Sequence, residues 1–272
     1  MPIGILHGTD IKIIHMSRSL VTMELHHLQC QLPSAAAVAS SIARDAKSGR
    51  LAQILTGQTK AFQRVIGIGH SIGSVVFNYE VIKDGASSPY DGLVLTVESI
   101  STIASQADPG RFGNLDSGYE TTNGSERSIY YGPTNNSFSP VMFQLDVLTL
   151  GVGSIWLAKQ TRFVYVPALG YRGPVVEIVG EFDQLHCIPD GGPCVQSLIQ
   201  KPEPAFFPQS INVTTVSVYV MKFAFEKVFI TNVVTCMEIV IPGTGHSLNA
   251  EFAASLTFRI INDLFRDCVY KV

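Results

Sequence analysis

Gly67-Ile68-Gly69-His70-Ser71-Ile72-Gly73 constrains this chain more than any other stretch. It follows the apolar pair Val65-Ile66 and precedes a helix-like run from Val75 to Lys83. The glycine-rich segment therefore reads as a sharp turn between a strand and a helix. Such a turn forces Ser71 into a strained backbone conformation, and Gly69 and Gly73 remove the side chains that would collide there. Oγ of Ser71 then stands exposed at the C-terminal end of the strand. The N–H of Ile72, at the start of the helix, points to where an oxyanion would form. A glycine-rich turn can arise by chance, but strand before and helix after is the context in which G-x-S-x-G carries chemistry.

The remainder of the chain follows a strand-helix-strand rhythm. Ile3 to Leu6 and Ile11 to Met16 read as early strands. Pro33-Ser34 opens a helix capped by Ser34, with Ala35, Val38, Ala39, Ile42 and Ala46 on one apolar face and Gly49 at its end. Arg64 to Ile68 is the strand feeding the turn, and Ser74 to Lys83 continues the helix after it. Gly92 to Val97 is a nearly unbroken apolar strand, as expected of a parallel sheet covered on both faces. Residues 99 to about 160 break the rhythm. They are rich in Gly, Ser, Asn, Asp and Tyr and end in a helix-like stretch from Val141 to Leu157. An interruption of this length reads as a lid over the sheet edge. Pro174 to Val179 and Met237 to Ile241 resume the sheet. A closing helix from about Ala250 to Phe265 carries Phe252, Leu256, Ile260 and Leu264 at helical spacing.

In an open α/β sheet, reactive groups gather beyond the C-terminal ends of the strands. Asp183, in Gly180-Glu181-Phe182-Asp183, and His246, in Pro242-Gly243-Thr244-Gly245-His246, both fall in short loops at that end. Ser71, Asp183 and His246 thus form a candidate nucleophile, acid and base in the chain order that goes with this turn. Glu98 and Glu181 compete for the acid role, and His70 and His186 for the base. The competing structural readings are a loop-capping aspartate for Asp183 and a loop histidine satisfied by its neighbours for His246.

Composition excludes several other classes. The chain has 272 residues, 46% hydrophobic and 15% charged, with a net charge of −3, which suits one domain with an insertion. No basic run points to nucleic acid or to an anionic membrane surface. The most apolar late stretch, Val213 to Ile241, contains Lys222, Glu226, Lys227 and Glu238, which a membrane span of about 20 residues tolerates poorly. Met1-Pro2-Ile3-Gly4 lacks the basic start of a secretion signal, although the sequons at Asn123, Asn135 and Asn212 are compatible with a secreted longer form. Cys187 and Cys194 flank a loop-forming stretch that a disulfide could close, whereas Cys30, Cys236 and Cys268 read as buried hydrophobes. No pair of cysteines or histidines has metal-ligand spacing beside His186.

Gly69-His70-Ser71-Ile72-Gly73, Leu93-Val94-Leu95-Thr96, Asp108-Pro109-Gly110-Arg111-Phe112-Gly113, Tyr131-Gly132-Pro133, Gly180-Glu181-Phe182-Asp183 and Pro242 to Asn249 together resemble the fungal α/β-hydrolases with a helical cap. The resemblance runs from about Pro33 to the C-terminus. It implies an α/β-hydrolase fold: a mostly parallel sheet flanked by helices, with a helical cap insertion. Residues 1–98 would hold the first part of the core, 99–165 the cap, and 166–272 the second part of the core, with the acid and the histidine. It also implies a serine esterase acting on a small ester, lactone or related acyl compound, with no metal or organic cofactor. A lyase or cyclase on the same scaffold and a catalytically weak relative are the alternatives.

The sequence departs from the family at two places. Members begin with more strands, one of which leads to a His-Gly segment that supplies the second oxyanion donor. Here only His7-Gly8-Thr9 offers that segment, with Gly8 and Thr9 as weak candidates, and too few residues separate it from Ile11 for the usual intervening helix. Residues 213–235 read as an additional apolar insert. Both features lead to the expectation of an unusual or incomplete gene product, and the abbreviated N-terminus to that of one missing donor and slow turnover.

Overall fold

The structure, a computed structural model, describes residues 12–16, 31–96, 105–106, 118–121, 124–133, 136–164, 166–186, 194, 206–210 and 236–264. Its core is a five-stranded, wholly parallel sheet. The strands β1 (Lys12–Met16), β2 (Val65–His70), β3 (Gly92–Thr96), β7 (Val175–Gly180) and β8 (Cys236–Ile241) lie side by side in that order. β2 and β3 are buried along nearly their whole length, so their apolar runs need no alternation. Each sequence-read strand among the described residues falls in place within a residue or two. The early strand Ile3 to Leu6, Gly8, Thr9 and the stretch 213–235 lie outside the described residues.

Helix α1 (Leu32–Ser48) crosses from β1 towards β2, and the short α2 (Arg50–Thr56) follows it. α1 does not use Ser34 as its cap. Gln31 occupies that position without a side-chain bond, Pro33 falls in the first turn, and the Leu32 N–H donates to Gln160 Oε1 at 2.7 Å. Its buried face is Leu32, Ala35, Ala36, Ala39, Ala43 and Ala46, while Val38 is turned outward at 51% exposure. The small alanines bring α1 close to α3 (Ile72–Asp84), against Val75, Val76 and Phe77. Close approach of the two backbones selects the alanine stripe over the bulkier one.

Between β3 and β7 the chain leaves the main sheet. Strands β4 (Ser105–Gln106), β5 (Tyr119–Thr121) and β6 (Gly153–Ser154) form a small antiparallel sheet. The single helix expected over Val141 to Leu157 is two pieces, α4 (Pro140–Leu148) and α5 (Ile155–Lys159). Thr149 closes α4 through its hydroxyl to the Leu145 carbonyl, and the segment from Gly151 to Gly153 turns the chain into β6. The final helix, α6 (Ala254–Leu264), starts later than its periodicity suggests. Residues Ser247 to Phe252 are taken up by turns, and Phe252 stands 64% exposed ahead of the helix. No described helix is long and apolar enough to cross a membrane. Cys194 is disulfide-bonded, and Cys187 lies outside the described residues.

A buried carboxyl away from the Ser71 turn gives a stability prediction. Glu80 on α3 is 1% exposed; Ser88 Oγ donates to its Oε2 at 2.9 Å. Burial, reinforced by the Asp84 charge, pushes its pKa from 4.5 up to about 7 against the opposing hydrogen bonds of Ser88 and Ser40. The folded protein holds this proton more tightly than the unfolded chain. Its contribution is full below about pH 4.5 and is lost as the pH rises through about 7. The difference is on the order of 3 kcal/mol. Thermal melts between pH 5 and 8 should therefore show a fall in Tm that Glu80→Gln flattens. Superimposable pH dependences for the two proteins would contradict the assignment.

Candidate active site

The turn at the end of β2 has the geometry its glycines imply. Ser71 sits at φ 55° and ψ −121° and is the one described residue other than glycine with positive φ. A Cβ on Gly69 would come within 2.5 Å of the Ser74 backbone, so strand and helix can meet this closely only if that position is glycine. Ile72 is the first residue of α3, where backbone N–H groups have no intrahelical acceptor.

Thr96, at the end of β3, fixes the turn from the neighbouring strand. The register pairs it with His70. Its carbonyl accepts from the Ser71 N–H at 2.9 Å and from Ser74 Oγ at 3.1 Å, and its hydroxyl donates to the Gly69 carbonyl at 2.9 Å. Because that hydroxyl proton is committed, His70 Nδ1, 3.0 Å away, is the donor in their contact. His70 therefore faces Thr96 and lines a small cleft with Ile68, Leu248 and Phe258, rather than taking a proton from Ser71.

The loops after β7 and β8 bring the other two candidates to Ser71. His246 Nε2 lies 2.8 Å from Ser71 Oγ, and His246 Nδ1 lies 3.1 Å from Asp183 Oδ2 and 3.2 Å from Oδ1. Asp183 and His246 are 1% and 2% exposed, so water competes little for these bonds. Asp183 Oδ1 also accepts from the N–H groups of Leu185 at 2.9 Å and His186 at 3.1 Å. Burial works to raise the Asp183 pKa. The His246 charge and hydrogen bond, the His186 charge and the Leu185 N–H outweigh it and hold the carboxyl below its usual range. An ionised Asp183 can only accept, so Nδ1 of His246 carries a proton and Nε2 is left to accept from the Ser71 hydroxyl.

The rival groups have other partners. Glu181 Oε2 accepts from the Gly243 N–H at 2.7 Å and ties the two loops together. His186 Nε2 lies 3.4 Å from Glu177 Oε1. Glu98 lies outside the described residues. The loops approach so closely that a Cβ on Gly180 would run into the Gly245 carbonyl, and the Phe182 N–H donates to the Thr244 carbonyl at 2.8 Å.

Residues 127–133 and 136–146 carry Tyr130, which packs on His246, and groups that pack around it. The Tyr130 ring meets the imidazole edge-on with centroids 5.4 Å apart, and the His70 ring lies tilted at the same distance. Arg127 stands 4.3 Å over the Tyr130 ring and forms a bidentate pair with Asp146, which also accepts from Tyr131 Oη at 3.0 Å. Tyr130 and Thr96 were not candidates from the sequence. Thr96 could have been found from its place at the end of the strand beside the turn; Tyr130 carries no local signal. Among the described residues, no group of three or more His, Cys, Asp or Glu side chains could hold a metal ion.

No protein-family model matches the chain, and no curated protein matches it in sequence. Solved structures do match in fold. The chain is similar to the monoacylglycerol lipase of Paleococcus ferrophilus, with 11% identity and a TM-score of 0.50 over 86% of this chain and 75% of that one. It is also similar to a thermophilic esterase, with 15% identity and a TM-score of 0.45 over 90% and 75% of the two chains. A methylesterase from Arabidopsis matches with 13% identity and a TM-score of 0.41 over 85% and 80%. The parallel sheet flanked by helices, with a strained serine turn after β2, is the α/β-hydrolase fold.

Proposed function

We propose that this chain is a serine hydrolase of the capped, fungal type that cleaves ester or related acyl bonds in a small hydrophobic substrate. The observation that carries the reading is the buried chain of contacts from Ser71 Oγ through His246 to Asp183. His246 Nε2 takes the hydroxyl proton as Ser71 Oγ attacks the acyl carbon. The developing oxyanion receives the Ile72 N–H; Gly8–Thr9 is the one segment offered for a second donor, and without it turnover would be slower by roughly 10²–10³-fold. Protonated Nε2 then passes its proton to the departing alcohol. Water, activated by the same nitrogen, releases the acid from Ser71. Asp183 holds the ring tautomer throughout and stabilises the imidazolium. Residues 99–165 act as the cap, and the Tyr130 ring is the apolar surface it brings to His246.

A covalent acyl group on Ser71 separates this reading from a lyase or cyclase that uses the same side chains only to move protons. Short-chain aryl esters should give a burst of phenol, and peptide mapping after acid quench should find the acyl mass on the peptide carrying Ser71. Turnover of an ester panel with no adduct, or an adduct elsewhere, would overturn the proposal.

A further inference from the structure

Glu251 lies just beyond His246, in the turns before α6, and is only 4% exposed. Its Oε1 accepts from the Gly245 N–H at 2.9 Å and from the Gly132 N–H at 3.1 Å. Gly245 is the residue before His246, and Gly132 belongs to the segment that carries Tyr130 and Tyr131. The backbone follows the same path. Glu251 bridges Phe138, the Phe252 N–H donates to the Ser137 carbonyl at 2.9 Å, and the Ser247 N–H donates to the Tyr130 carbonyl at 2.6 Å. One carboxyl oxygen thus joins the turn holding the histidine to the chain that packs on its ring. The other oxygen, Oε2, is buried with no hydrogen-bond partner among the described residues. Leaving a buried polar atom unsatisfied is costly, and the bond from Oε1 to both loops is what offsets it.

We infer that Glu251 is a positioning residue. By joining Gly132 and Gly245 through one oxygen, it fixes the turn that aims His246 Nε2 at Ser71 Oγ. The inference rests on the proposed hydrolytic reading for its kinetic readout. Without this acceptor, two buried N–H groups lose their partner and the turn relaxes. A shift of about 1 Å at reacting atoms is enough to cost roughly 10²-fold in rate. Burial pushes the Glu251 pKa up to about 7, with the Asp183 charge adding and the two backbone N–H groups opposing. When the carboxyl is protonated, the proton sits on Oε2, since Oε1 already accepts twice. Glutamine reproduces that protonated form in size and in its accepting oxygen, whereas aspartate keeps the charge but is one methylene short.

The test compares Glu251→Ala, Glu251→Asp and Glu251→Gln in the full chain. Ala and Asp should lower kcat for an aryl ester by about 10–100-fold with KM within about twofold, and Gln should recover kcat to within about threefold. If the alanine protein does not fold, the Asp and Gln pair carries the comparison. The charged and titratable groups that act on it are Asp183 from the loops and Tyr131 from the packing segment, which in turn meets Arg127 and Asp146. If Glu251 acted through its charge on these groups, Asp would substitute and Gln would not, and that order overturns the inference. Wild-type kcat in Glu251→Ala overturns it too. If the wild-type protein forms no adduct on Ser71, the proposed function fails and the downfield Nδ1–H proton resonance of His246 decides the positioning role instead. It should persist in Gln and broaden or vanish in Ala and Asp; its persistence in all three would refute the inference.

Discussion

Ser71→Ala should abolish covalent labelling by a fluorophosphonate probe and lower ester turnover by roughly 10⁴–10⁶-fold. The probe reacts only with an activated oxygen nucleophile. Ser71 Oγ has what activation requires: 2.8 Å from His246 Nε2, on a backbone held at φ 55°. Alanine fits the same turn with less bulk, so the protein should melt close to the wild-type temperature. His246→Ala should also lose labelling, because Oγ then keeps its proton and remains a weak nucleophile. Gel fluorescence after labelling reads both results directly. Labelling that survives in Ser71→Ala would place the nucleophile elsewhere.

Asp183→Asn should reduce turnover on the order of 10⁴-fold while leaving the fold intact. The geometry around the carboxyl supplies the reason. Oδ1 accepts from the Leu185 and His186 N–H groups, so the amide oxygen of asparagine must take that position. Its NH₂ then occupies the place of Oδ2, 3.1 Å from His246 Nδ1. A donor there forces Nδ1 to accept and moves the ring proton to Nε2, which then faces Ser71 with a hydrogen instead of a lone pair. Lowering the pH removes the same carboxylate charge by protonation. Its pKa is held down in the folded protein, so the stability it contributes is present above the unfolded value and is lost as the pH falls through the folded one. Steady-state kinetics and a melting curve of the variant test both parts. Full activity in Asp183→Asn together with its loss in Glu98→Gln would move the acid to the end of β3.

The elements most legible in the sequence are those whose cause is local. The strand, turn and helix around Ser71 follow from glycines that must lie within a few residues of one another, because β2 and α3 nearly touch at Gly69 and Ser74. The apolar runs of β3 and β7 follow from burial on both faces of a parallel sheet. Where the structure departs from the local pattern, a distant partner decides. Val38 is apolar yet outward, because α3 comes close enough to select the alanines of α1. Ser34 is a good capping residue left unused, because Gln160 reaches the Leu32 N–H from far along the chain.

The candidate site divides along the same line. The sequence by itself determined the sharp serine turn after β2, and the placing of Asp183 and His246 beyond strand ends in the order that goes with it. These depend on short-range patterns and on the one end of a parallel sheet where loops can converge. It left Glu181 beside Asp183 and His70 beside Ser71 as rivals, since neighbouring residues of the same chemistry are equivalent until their directions are known. Only the tertiary structure gives them different partners. It turns Glu181 to the Gly243 N–H, engages His70 with Thr96, and leaves Asp183 and Ser71 to share His246. Glu251 and Tyr130 entered the site by the same route. Their contacts join parts of the chain more than a hundred residues apart, as in the Glu251–Gly132 bond with its separation of 119, and no periodicity in the sequence records such a closure.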